Sequence, residues 1–552
     1  MSGIKQIKDP IYGYIKIPDA YVSKIIDTAA FQRLRRLVQT SYSPLFPSSC
    51  HNRFAHSLGV YHFGKIAGGT LTKEIGSDNA VKDLADWKKI NEVFLLSCLL
   101  HDVGHAPFSH TGEDFYLDDD KSYKALHDKL ICLVKSNDFK KDVKDVPDSR
   151  SAAPHEIMSA IVGIQDFPDF FSSSLEKEFF ARCITGYTFS KEDDIHRLYN
   201  CYIDLLHSEV IDVDRLDYLI RDAFFTGFDT VSIDYERLLS HITFTTDTEH
   251  PYEPAYYKGA VSVIENFIYA HDSERKWIQN HHSILYDMYI IKHVISQLDK
   301  KLSTDRKKLF SLESLRVAGL ALDRGRLKVS LLCDDDIISL MKIYLSDDYG
   351  LSKEFFSRKD RRRTLWKTEA DYSAFLLEKT TGGSILNSLE AALIETEKYV
   401  QKYTDEWTIN DEIITRLEAE IKKTKTAIES MSIGGLTDVK QKSFQKQKSM
   451  QLQILKVMKC LQDYANSKGE PCDFVIIKAD HFYSGFTKEE FSNIKIVFRY
   501  RDRKKTKKFE EVVTSLSGRD EPRENFFYIF CKHSAAEKFD MEEIASALIK
   551  AF

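Results

Sequence analysis

The spacing of hydrophobic positions divides the chain into a long helical part and a mixed C-terminal part. Residues 1 to about 300 carry amphipathic segments with short polar breaks, which predicts a mainly α-helical core. The opening sequence DPIYGYIKI (9–17) alternates apolar and polar residues, which predicts a short β-hairpin strand before the helices. Residues 301–383 are mixed, and 327–345 predicts a strand or turn followed by a helix.

Residues 384–467 have a different pattern, with two long segments of helical apolar spacing and many Lys and Glu residues. Ser432 to Gly435 separates the two segments, which predicts the turn of an antiparallel helical hairpin. Residues 468–552 change character again and predict a small α+β C-terminal module. The strands and the closing helix of this module are predicted at 472–480, 494–500, 525–532 and 541–552.

Length and composition are those of an ordinary globular protein. With 552 residues and a formal net charge of -6, we expect two or three domains and no general binding of nucleic acid. No stretch approaches the ~20 apolar residues of a membrane span, so we expect no membrane partner. The nine cysteines include no CxxC pair, which predicts reduced thiols and a cytoplasmic location. The basic run 499–508 lacks interleaved aromatic residues and predicts a solvated hairpin.

The apolar run Val93–Leu100 ends in chemistry that a buried helix does not need. It leads directly into His101 and Asp102, and His105 and His110 follow. An unpaired polar group that is removed from water costs about 1–3 kcal/mol. Imidazoles and a carboxylate in this position are explained if they hold a divalent cation.

Two further segments supply ligand-type side chains on predicted helices. CHNRFAHSLGV (50–60) places His56 one turn after Arg53, and IDVDRLDYLIRD (211–222) places Asp214 on a helix. Together with the His-Asp doublet, these residues predict one site with mixed nitrogen and oxygen coordination for Mn, Mg, Fe or Zn. Asp212 and Asp217 lie off the Asp214 face, so we predict structural or supporting roles for them.

These motifs resemble the HD-domain superfamily, and specifically its deoxynucleoside triphosphate (dNTP) triphosphohydrolase branch of dGTPase-like and SAM-and-HD-domain dNTPase-like proteins. The resemblance covers about the first 230 residues, and a weaker similarity, DDDI and RRRTLWK, extends it to about residue 367. The matching text is DPIYGYI, IIDTAAFQRLRRLVQT, HNRFAHSLGV, LLHDVGHAPFSH, HE at 155–156 and IDVDRLDYLIRD. We therefore expect an all-helical HD-domain catalytic core over 1–300.

The resemblance also implies roles for individual residues. The implied metal ligands are His56, His101, Asp102 and Asp214. The implied catalytic residues, which protonate the leaving group or support the acid, are His110, His155 and Glu113, the last standing where relatives commonly have Asp. The implied substrate-binding residues are Gln39, Arg53, His105, Arg215, Tyr218 and Asp222. The implied reaction is attack of water on the α-phosphorus, which releases nucleoside and intact triphosphate.

The chain departs from the family pattern in two places. TSYSPLFP (40–47) stands where some relatives are rich in glycine, and HDSERKWIQNHH (271–282) keeps only part of a basic and aromatic pocket helix. The base preference of the site is therefore left open.

The resemblance further implies a homo-oligomer (dimer, tetramer or hexamer) with a nucleotide activator or inhibitor. The N-terminal strand region or the helical hairpin is where we expect this regulation, and dNTP depletion in antiviral defence is consistent with it. Two alternatives stay open: an HD phosphodiesterase or nuclease acting on cyclic nucleotides or nucleic-acid ends, and a catalytically silent sensor that binds a protein partner through its C-terminal regions.

Overall fold

The protein is described from a computed structural model of the chain, which is mainly α-helical. The described residues are 3–41, 43–117, 122–144, 146–147, 150–228, 232–246, 251–304, 307–345, 351–359, 361–372, 374, 383–433, 438–480, 486, 488–500, 503–513 and 525–552. Within this part of the chain, no helix has the length and apolar character that crossing a membrane requires.

The helices follow one another closely through the first half of the chain. They are α1 Asp19–Tyr21, α2 Ala29–Gln32, α3 Arg53–Gly76, α4 Trp87–Leu100, α5 His110–Glu113, α6 Lys124–Val134, α7 Asn137–Val143, α8 Pro154–Asp166, α9 Ser174–Thr185, α10 Asp194–Leu206, α11 Val213–Thr226, α12 Tyr235–Ser240 and α13 Val261–Glu274.

The helices of the second half are longer on average, with short ones between them. They are α14 His282–Leu302, α15 Leu312–Leu315, α16 Asp334–Tyr344, α17 Leu351–Phe356, α18 Glu369–Tyr372, α19 Gly383–Tyr403, α20 Asp411–Ile433, α21 Asp438–Ser467, α22 Lys488–Asn493, α23 Phe509–Val512, α24 His533–Ala536 and α25 Met541–Ala551.

The strands are short and form small sheets. They are β1 Ile4–Asp9, β2 Gly13–Pro18, β3 Ile242–Phe244, β4 Pro254–Tyr257, β5 Leu320–Leu322, β6 Leu327–Val329, β7 Arg363–Thr364, β8 Phe474–Asp480, β9 Lys495–Tyr500, β10 Arg503–Lys508 and β11 Asn525–Cys531. Strands β1 and β2 form the predicted N-terminal hairpin, and β5 pairs with β6. The larger sheets have the strand orders β10-β9-β4-β3 and β7-β11-β8.

The chain forms two compact units that are not contiguous in sequence. Unit 1 contains Met1–Ile278, Leu298–Tyr344 and Ser484–Glu521, and unit 2 contains the remaining segments. The four consecutive ranges predicted above (1–300, 301–383, 384–467 and 468–552) divide the chain differently, and they stay a prediction.

Close packing of α3 on α4 in unit 1 depends on glycines. A Cβ atom on Gly64 would lie 2.5 Å from the Cys98 sulfur, and one on Gly68 would lie 2.2 Å from Asn91 Oδ1. The absence of these side chains lets the two helices approach, and Cys98 is fully buried between them. This packing fixes the end of α4, where the His-Asp doublet lies.

Helices α20 and α21 pack against each other in unit 2, as the predicted helical hairpin requires. Helix α20 ends at Ile433, and the remainder of the predicted turn, Gly434 and Gly435, lies outside the described residues. The first of the two predicted long segments is itself two helices, α19 and α20, because the chain turns at residues 404–410. Trp407 adopts a left-handed φ of 54° there, which no α-helix accommodates.

The predicted C-terminal strands belong to two different sheets. Strands β8 and β11 pair antiparallel in unit 2, whereas β9 pairs in parallel with β4 in unit 1. The basic run continues from β9 into β10 as an antiparallel hairpin, which agrees with the predicted hairpin.

Candidate active site

The four predicted metal ligands converge in unit 1. His56 lies in the first turn of α3, His101 and Asp102 follow the end of α4, and Asp214 lies in the first turn of α11. His56 Nε2 is 3.2 Å from His101 Nε2, 2.8 Å from Asp214 Oδ1 and 3.7 Å from Asp102 Oδ2. Residues that are up to 158 positions apart in sequence therefore present their ligand atoms to one point.

The protonation pattern of the two imidazoles makes this group a good fit for a cation. His56 Nδ1 lies 2.7 Å from the Asp217 carboxylate, and His101 Nδ1 lies 3.0 Å from the Cys98 carbonyl oxygen. Both partners only accept hydrogen bonds, so each Nδ1 carries the proton and each neutral ring presents a lone pair at Nε2. Two lone pairs that face each other beside two carboxylates repel unless a positive charge lies between them. Nearby carboxylates favour positive charge at this point, because burial lowers the pKa of His56 but Asp214 and Asp217 raise it to about 10.

A buried chain of charges orients His56. Asp217 accepts hydrogen bonds from Arg221 Nε (2.8 Å) and Nη2 (3.0 Å), and Arg221 Nη1 reaches Asp9 at 3.1 Å. Burial raises the pKa of Asp217, but the Arg221 charge and the His56 bond lower it to about 2. Gly59 leaves room for this chain, because a Cβ atom there would lie 1.8 Å from Asp217 Oδ1. Asp217 thus contacts His56 at the ring nitrogen that faces away from Asp214, and its role in supporting a metal ligand stays a prediction.

Arg53, which is predicted to contact substrate, is buried and contacts the predicted metal ligand Asp102. Its guanidinium donates to Asp102 Oδ2 (2.8 Å), to Ser109 Oγ (2.9 Å) and to the Gln39 carbonyl oxygen (3.3 Å). Burial raises the pKa of Asp102, but the Arg53 charge and the neighbouring imidazoles hold it below its usual value. In this structure Arg53 therefore fixes the Asp102 carboxylate, and its contact with phosphate stays a prediction.

A second cluster contains the predicted catalytic residues. The rings of His105 and His155 stack at 4.0 Å with an interplanar angle of 15°, and His110 lies 5.1 Å from both rings. Glu113 contacts His155 and His110. One carboxylate oxygen bonds to His155 Nδ1, and the other lies 3.3 Å from His110 Nδ1. Their nitrogens are close enough to share an ion, but stacked rings direct their lone pairs along parallel planes. The cluster is therefore better arranged to move protons than to ligate a metal.

The environments of the two stacked rings push their pKa values apart. Burial lowers the pKa of His155, but the charge and hydrogen bond of Glu113 raise it to about 9. Burial, together with the Arg53 and His155 charges, lowers the pKa of His105 well below its ordinary value. At neutral pH, His155 is an imidazolium and His105 is a neutral ring, which is the pattern of an acid beside a hydrogen-bonding partner.

Gln39 and Asp222, which the resemblance assigned to the sugar, are buried, and sequence reasoning missed a third residue, His51. His51 Nε2 lies 2.6 Å from Asp222 Oδ1, and both side chains are 1% exposed. Among the described residues, two buried polar atoms of this group have no protein partner, namely Gln39 Oε1 and His51 Nδ1. Buried polar atoms are normally bonded, so these two are available for a ligand. The signal for His51 was present in the sequence, because it lies only two positions before Arg53 in the same motif.

Arg215 and Tyr218 were predicted to bind substrate, and in the structure Arg215 is bonded to other protein groups. Asp212 caps α11 by accepting the Arg215 N–H at 2.7 Å, and the Arg215 guanidinium contacts Asp212 and the Ser208 carbonyl oxygen. Arg215 also lines a cavity of about 720 Å³ in unit 1, together with His207. Burial raises the pKa of Tyr218, so this residue is a neutral phenol. Their contacts with substrate stay predictions.

Comparisons with known proteins find relatives, and two of them match less than half of the chain. A Mycoplasma genitalium protein, uncharacterized protein MG461, is 29% identical over 266 residues, which is 47% of this chain and 52% of that protein. The deoxynucleoside triphosphate triphosphohydrolase SAMHD1 homolog of Dictyostelium discoideum is 30% identical over 237 residues, 43% of this chain and 39% of that protein. The chain thus matches about half or less of the length of these curated relatives. No family model matches the chain.

Solved structures show the same fold over nearly the whole chain. The crystal structure of a phosphohydrolase from Bacteroides thetaiotaomicron superimposes with a TM-score of 0.53 and 17% identity, covering 96% of this chain and all of that one. At this identity the similarity concerns the fold alone.

Proposed function

We propose, from the resemblance to the HD-domain dNTP triphosphohydrolase-like family and in line with these relatives, that this protein is a metal-dependent phosphohydrolase acting on deoxynucleoside triphosphates. Its products are the deoxynucleoside and inorganic triphosphate. The observation that supports this proposal most strongly is the pairing of two clusters in unit 1. One is a group of two imidazoles and two carboxylates whose chemistry fits a cation, and the other is an imidazolium that contacts a carboxylate.

His56, His101, Asp102 and Asp214 are the residues that would hold the cation. A divalent ion supplies charge neutralisation for phosphate and lowers the pKa of water. Arg53 and Asp217 keep two of these ligands in their orientations, so that little reorganisation is needed when substrate binds.

The hydrolysis forms one bond and breaks one. Water oxygen attacks the α-phosphorus, the bond from the α-phosphorus to O5′ breaks, and O5′ leaves as the deoxynucleoside hydroxyl. An alkoxide is a poor leaving group and needs a proton as the bond breaks. We assign this proton to the His110–His155 pair, with Glu113 holding both imidazoles. His105 is a neutral ring without a hydrogen-bond partner among the described residues, so it is suited to donate one N–H to a phosphate oxygen.

Gln39 and Asp222 are assigned to the sugar 3′-hydroxyl, with His51 holding the Asp222 carboxylate. A pocket that closes on the sugar at this point would exclude a 2′-hydroxyl sterically. We therefore propose deoxynucleotides rather than ribonucleotides as substrates.

A product assay tests this proposal. Purified protein is incubated with Mn²⁺ or Mg²⁺ and with dGTP, dTTP or GTP, and the products are separated. We expect deoxynucleoside and triphosphate from the deoxynucleotides, little turnover of GTP, and no reaction by the His101→Ala or Asp102→Ala variant. Equal turnover of GTP would reject the sugar assignment. Hydrolysis of cyclic nucleotides or nucleic-acid ends without release of triphosphate would reject the proposal and support the phosphodiesterase or nuclease hypothesis.

We also propose that the enzyme is a homo-oligomer regulated by a nucleotide, since unregulated dNTP hydrolysis would stop DNA synthesis. In support, the N-terminal hairpin exposes apolar side chains, with Ile4 63% and Tyr14 59% exposed. Depletion of dNTPs on activation would also suit antiviral defence. Measurement of the mass in solution, with and without added dNTPs, tests the regulation, and a monomer under both conditions would reject it.

A further inference from the structure

One buried carboxylate in unit 1 connects two segments of the candidate active site from a distant part of the sequence. Asp334, the first residue of α16, is 5% exposed. Its Oδ2 accepts the Val38 N–H at 2.8 Å, and its Oδ1 accepts the Phe108 N–H at 2.6 Å. These two donors lie 296 and 226 positions away in sequence.

Each of the two segments carries residues of the site. Val38 directly precedes Gln39, and Phe108 directly precedes Ser109 and His110. Ser109 Oγ donates to the Val38 carbonyl oxygen and accepts from Arg53 Nε, so it joins the two segments a second time. Asp334, Ser109 and Arg53 therefore connect the segment before Gln39 with the segment before His110.

The segment that Asp334 holds has an unusual backbone. Phe108 and Ser109 have φ values of 57° and 54°, in the left-handed region that non-glycine residues rarely adopt. A non-glycine residue in this region is strained and persists only where its surroundings hold it. His110 begins α5 directly after these two residues, so its position depends on this conformation.

A buried arginine fixes the other side of the same loop. Arg33 donates to the carbonyl oxygens of Leu332 (2.8 Å), Val103 (3.0 Å) and His105 (2.9 Å). The segment that carries Asp334 and the loop that carries the His-Asp doublet are thus joined by two buried polar groups, the Arg33 guanidinium and the Asp334 carboxyl group. Hydrogen bonds from a guanidinium are charge-assisted, and they are stronger than neutral ones and hold geometry well.

An ordinary structural role for Asp334, as a local cap of its own helix, does not account for these contacts. Its neighbour Asp336 has such a local role, because Asp336 Oδ2 accepts the Cys333 N–H at 2.8 Å. Asp335 is 64% exposed at its side chain and contacts only the exposed Arg36 among its described partners. The three consecutive carboxyl groups therefore have different partners. Among their described contacts, those of Asp334 are the ones that reach segments of the candidate active site.

We propose that Asp334 is a positioning residue of the active site, which holds the backbones of Val38 and Phe108 so that Gln39, Ser109 and His110 are placed for hydrolysis. Its effect on turnover rests on the proposed function. The hydrogen bonds themselves do not depend on which reaction the site performs.

The test compares Asp334→Asn with Asp335→Asn. An Asn side chain keeps the size but offers one acceptor, so its NH₂ group must face one of the two N–H donors. We expect kcat to fall about 10- to 100-fold in Asp334→Asn, since displacement of a catalytic group by ~1 Å has effects of this size. We expect KM for dNTP to rise as well, but by a smaller factor, because the displaced segment includes Gln39, and we expect Asp335→Asn to retain wild-type constants.

A double-variant measurement separates positioning from general destabilisation. In the His110→Ala background, Asp334→Asn should lower kcat by a smaller factor than in the wild-type background, because one of the groups that it positions is already absent. An equal loss in both backgrounds would overturn the proposal, as would wild-type kcat in Asp334→Asn.

Hydrogen exchange at the Val38 and Phe108 amides provides a readout that is independent of activity. Both amides should exchange faster in Asp334→Asn than in Asp335→Asn or wild type. If the wild-type protein hydrolyses no dNTP, the proposed function fails, and unchanged exchange at both amides would overturn the Asp334 proposal as well. Faster exchange would support its positioning role for whatever reaction the site performs.

Discussion

The Glu113 carboxylate keeps the His155 imidazole protonated near neutral pH. This carboxylate is a main reason why the pKa of His155 is about 9, against the effect of burial. A histidine acid is active while protonated, so kcat should fall as pH rises through this pKa. Glu113→Gln removes the charge, which moves this fall to lower pH and lowers kcat about 10²-fold at pH 8.

The pH–rate profile of kcat, measured for wild type and Glu113→Gln, checks this prediction. The exposed Glu92 in α4 provides a matched control, and Glu92→Gln should keep the wild-type profile. An alkaline limb at the same pH in Glu113→Gln would show that His155 is not the titrating acid.

Asp217 contacts the predicted metal ligand His56 but is not itself a predicted ligand. Asp217→Asn weakens the bond that orients His56 and leaves Arg221 with less compensating charge. We expect the affinity for Mn²⁺ to fall about 10- to 100-fold, as for other groups that orient metal-binding histidines. Titration with Mn²⁺ followed by calorimetry measures this. Asp138→Asn, which removes an exposed ion pair with Lys191, should leave the affinity unchanged, and equal affinities in both variants would contradict the assignment.

The convergence of the four predicted metal ligands could be predicted from sequence, because each of them lies in an amphipathic frame with its own local motif. The His51–Asp222 pair and the Asp334 contacts were not predictable in this way. Their partners lie 171 to 296 positions apart, and nothing in the local pattern around one partner indicates the other. Arg215 illustrates a further limit, because the sequence suggested its charge but not its engagement with Asp212.

At the scale of elements, the position of α11 against α3 depends on one glycine. A Cβ atom on Gly59 would meet Asp217 Oδ1 at 1.8 Å and Arg221 Nη2 at 2.7 Å, whereas one on Gly69, in the same helix, would meet nothing within 4 Å. We expect Gly59→Ala to lower the free energy of unfolding by about 2–4 kcal/mol, since it displaces a buried charge pair. We expect Gly69→Ala to raise it by about 0.5–1 kcal/mol through helix propensity.

Denaturant unfolding of both variants measures this contrast within a single helix. A similar stability for Gly59→Ala and Gly69→Ala would mean that α3 and α11 are not as closely packed as the structure shows.

The types of most long elements followed from their hydrophobic periodicity, but their breaks and pairings did not. The left-handed Trp407 divides a segment whose apolar spacing continues through it. The parallel pairing of β4 with β9 joins strands that are about 240 residues apart, and a strand pattern specifies neither its neighbour nor its direction.

At the scale of the whole molecule, the C-terminal segment supplies a central strand to one sheet in each unit. Strand β9 lies between β10 and β4 in unit 1, and β11 lies between β7 and β8 in unit 2. A chain that ends at Asp480 loses both strands, so we expect lower thermal stability in both units. A chain that ends at Phe539 loses only α25, which packs on α19 and α21 of unit 2. We expect this shorter deletion to retain dNTP hydrolysis at temperatures where the longer one has lost it.

Circular dichroism melting and the hydrolysis assay check these two truncations together. A chain ending at Asp480 that melts and hydrolyses like the full chain would contradict the sheet assignments.

The central claim, hydrolysis at the α-phosphorus by the two clusters of unit 1, is tested most directly by isotope labelling. The protein is incubated with Mn²⁺ and each dNTP in H₂¹⁸O, and both products are analysed by mass spectrometry. The account predicts one ¹⁸O atom in inorganic triphosphate and none in the deoxynucleoside. Label in the deoxynucleoside, or products consisting of deoxynucleoside monophosphate and pyrophosphate, would contradict it.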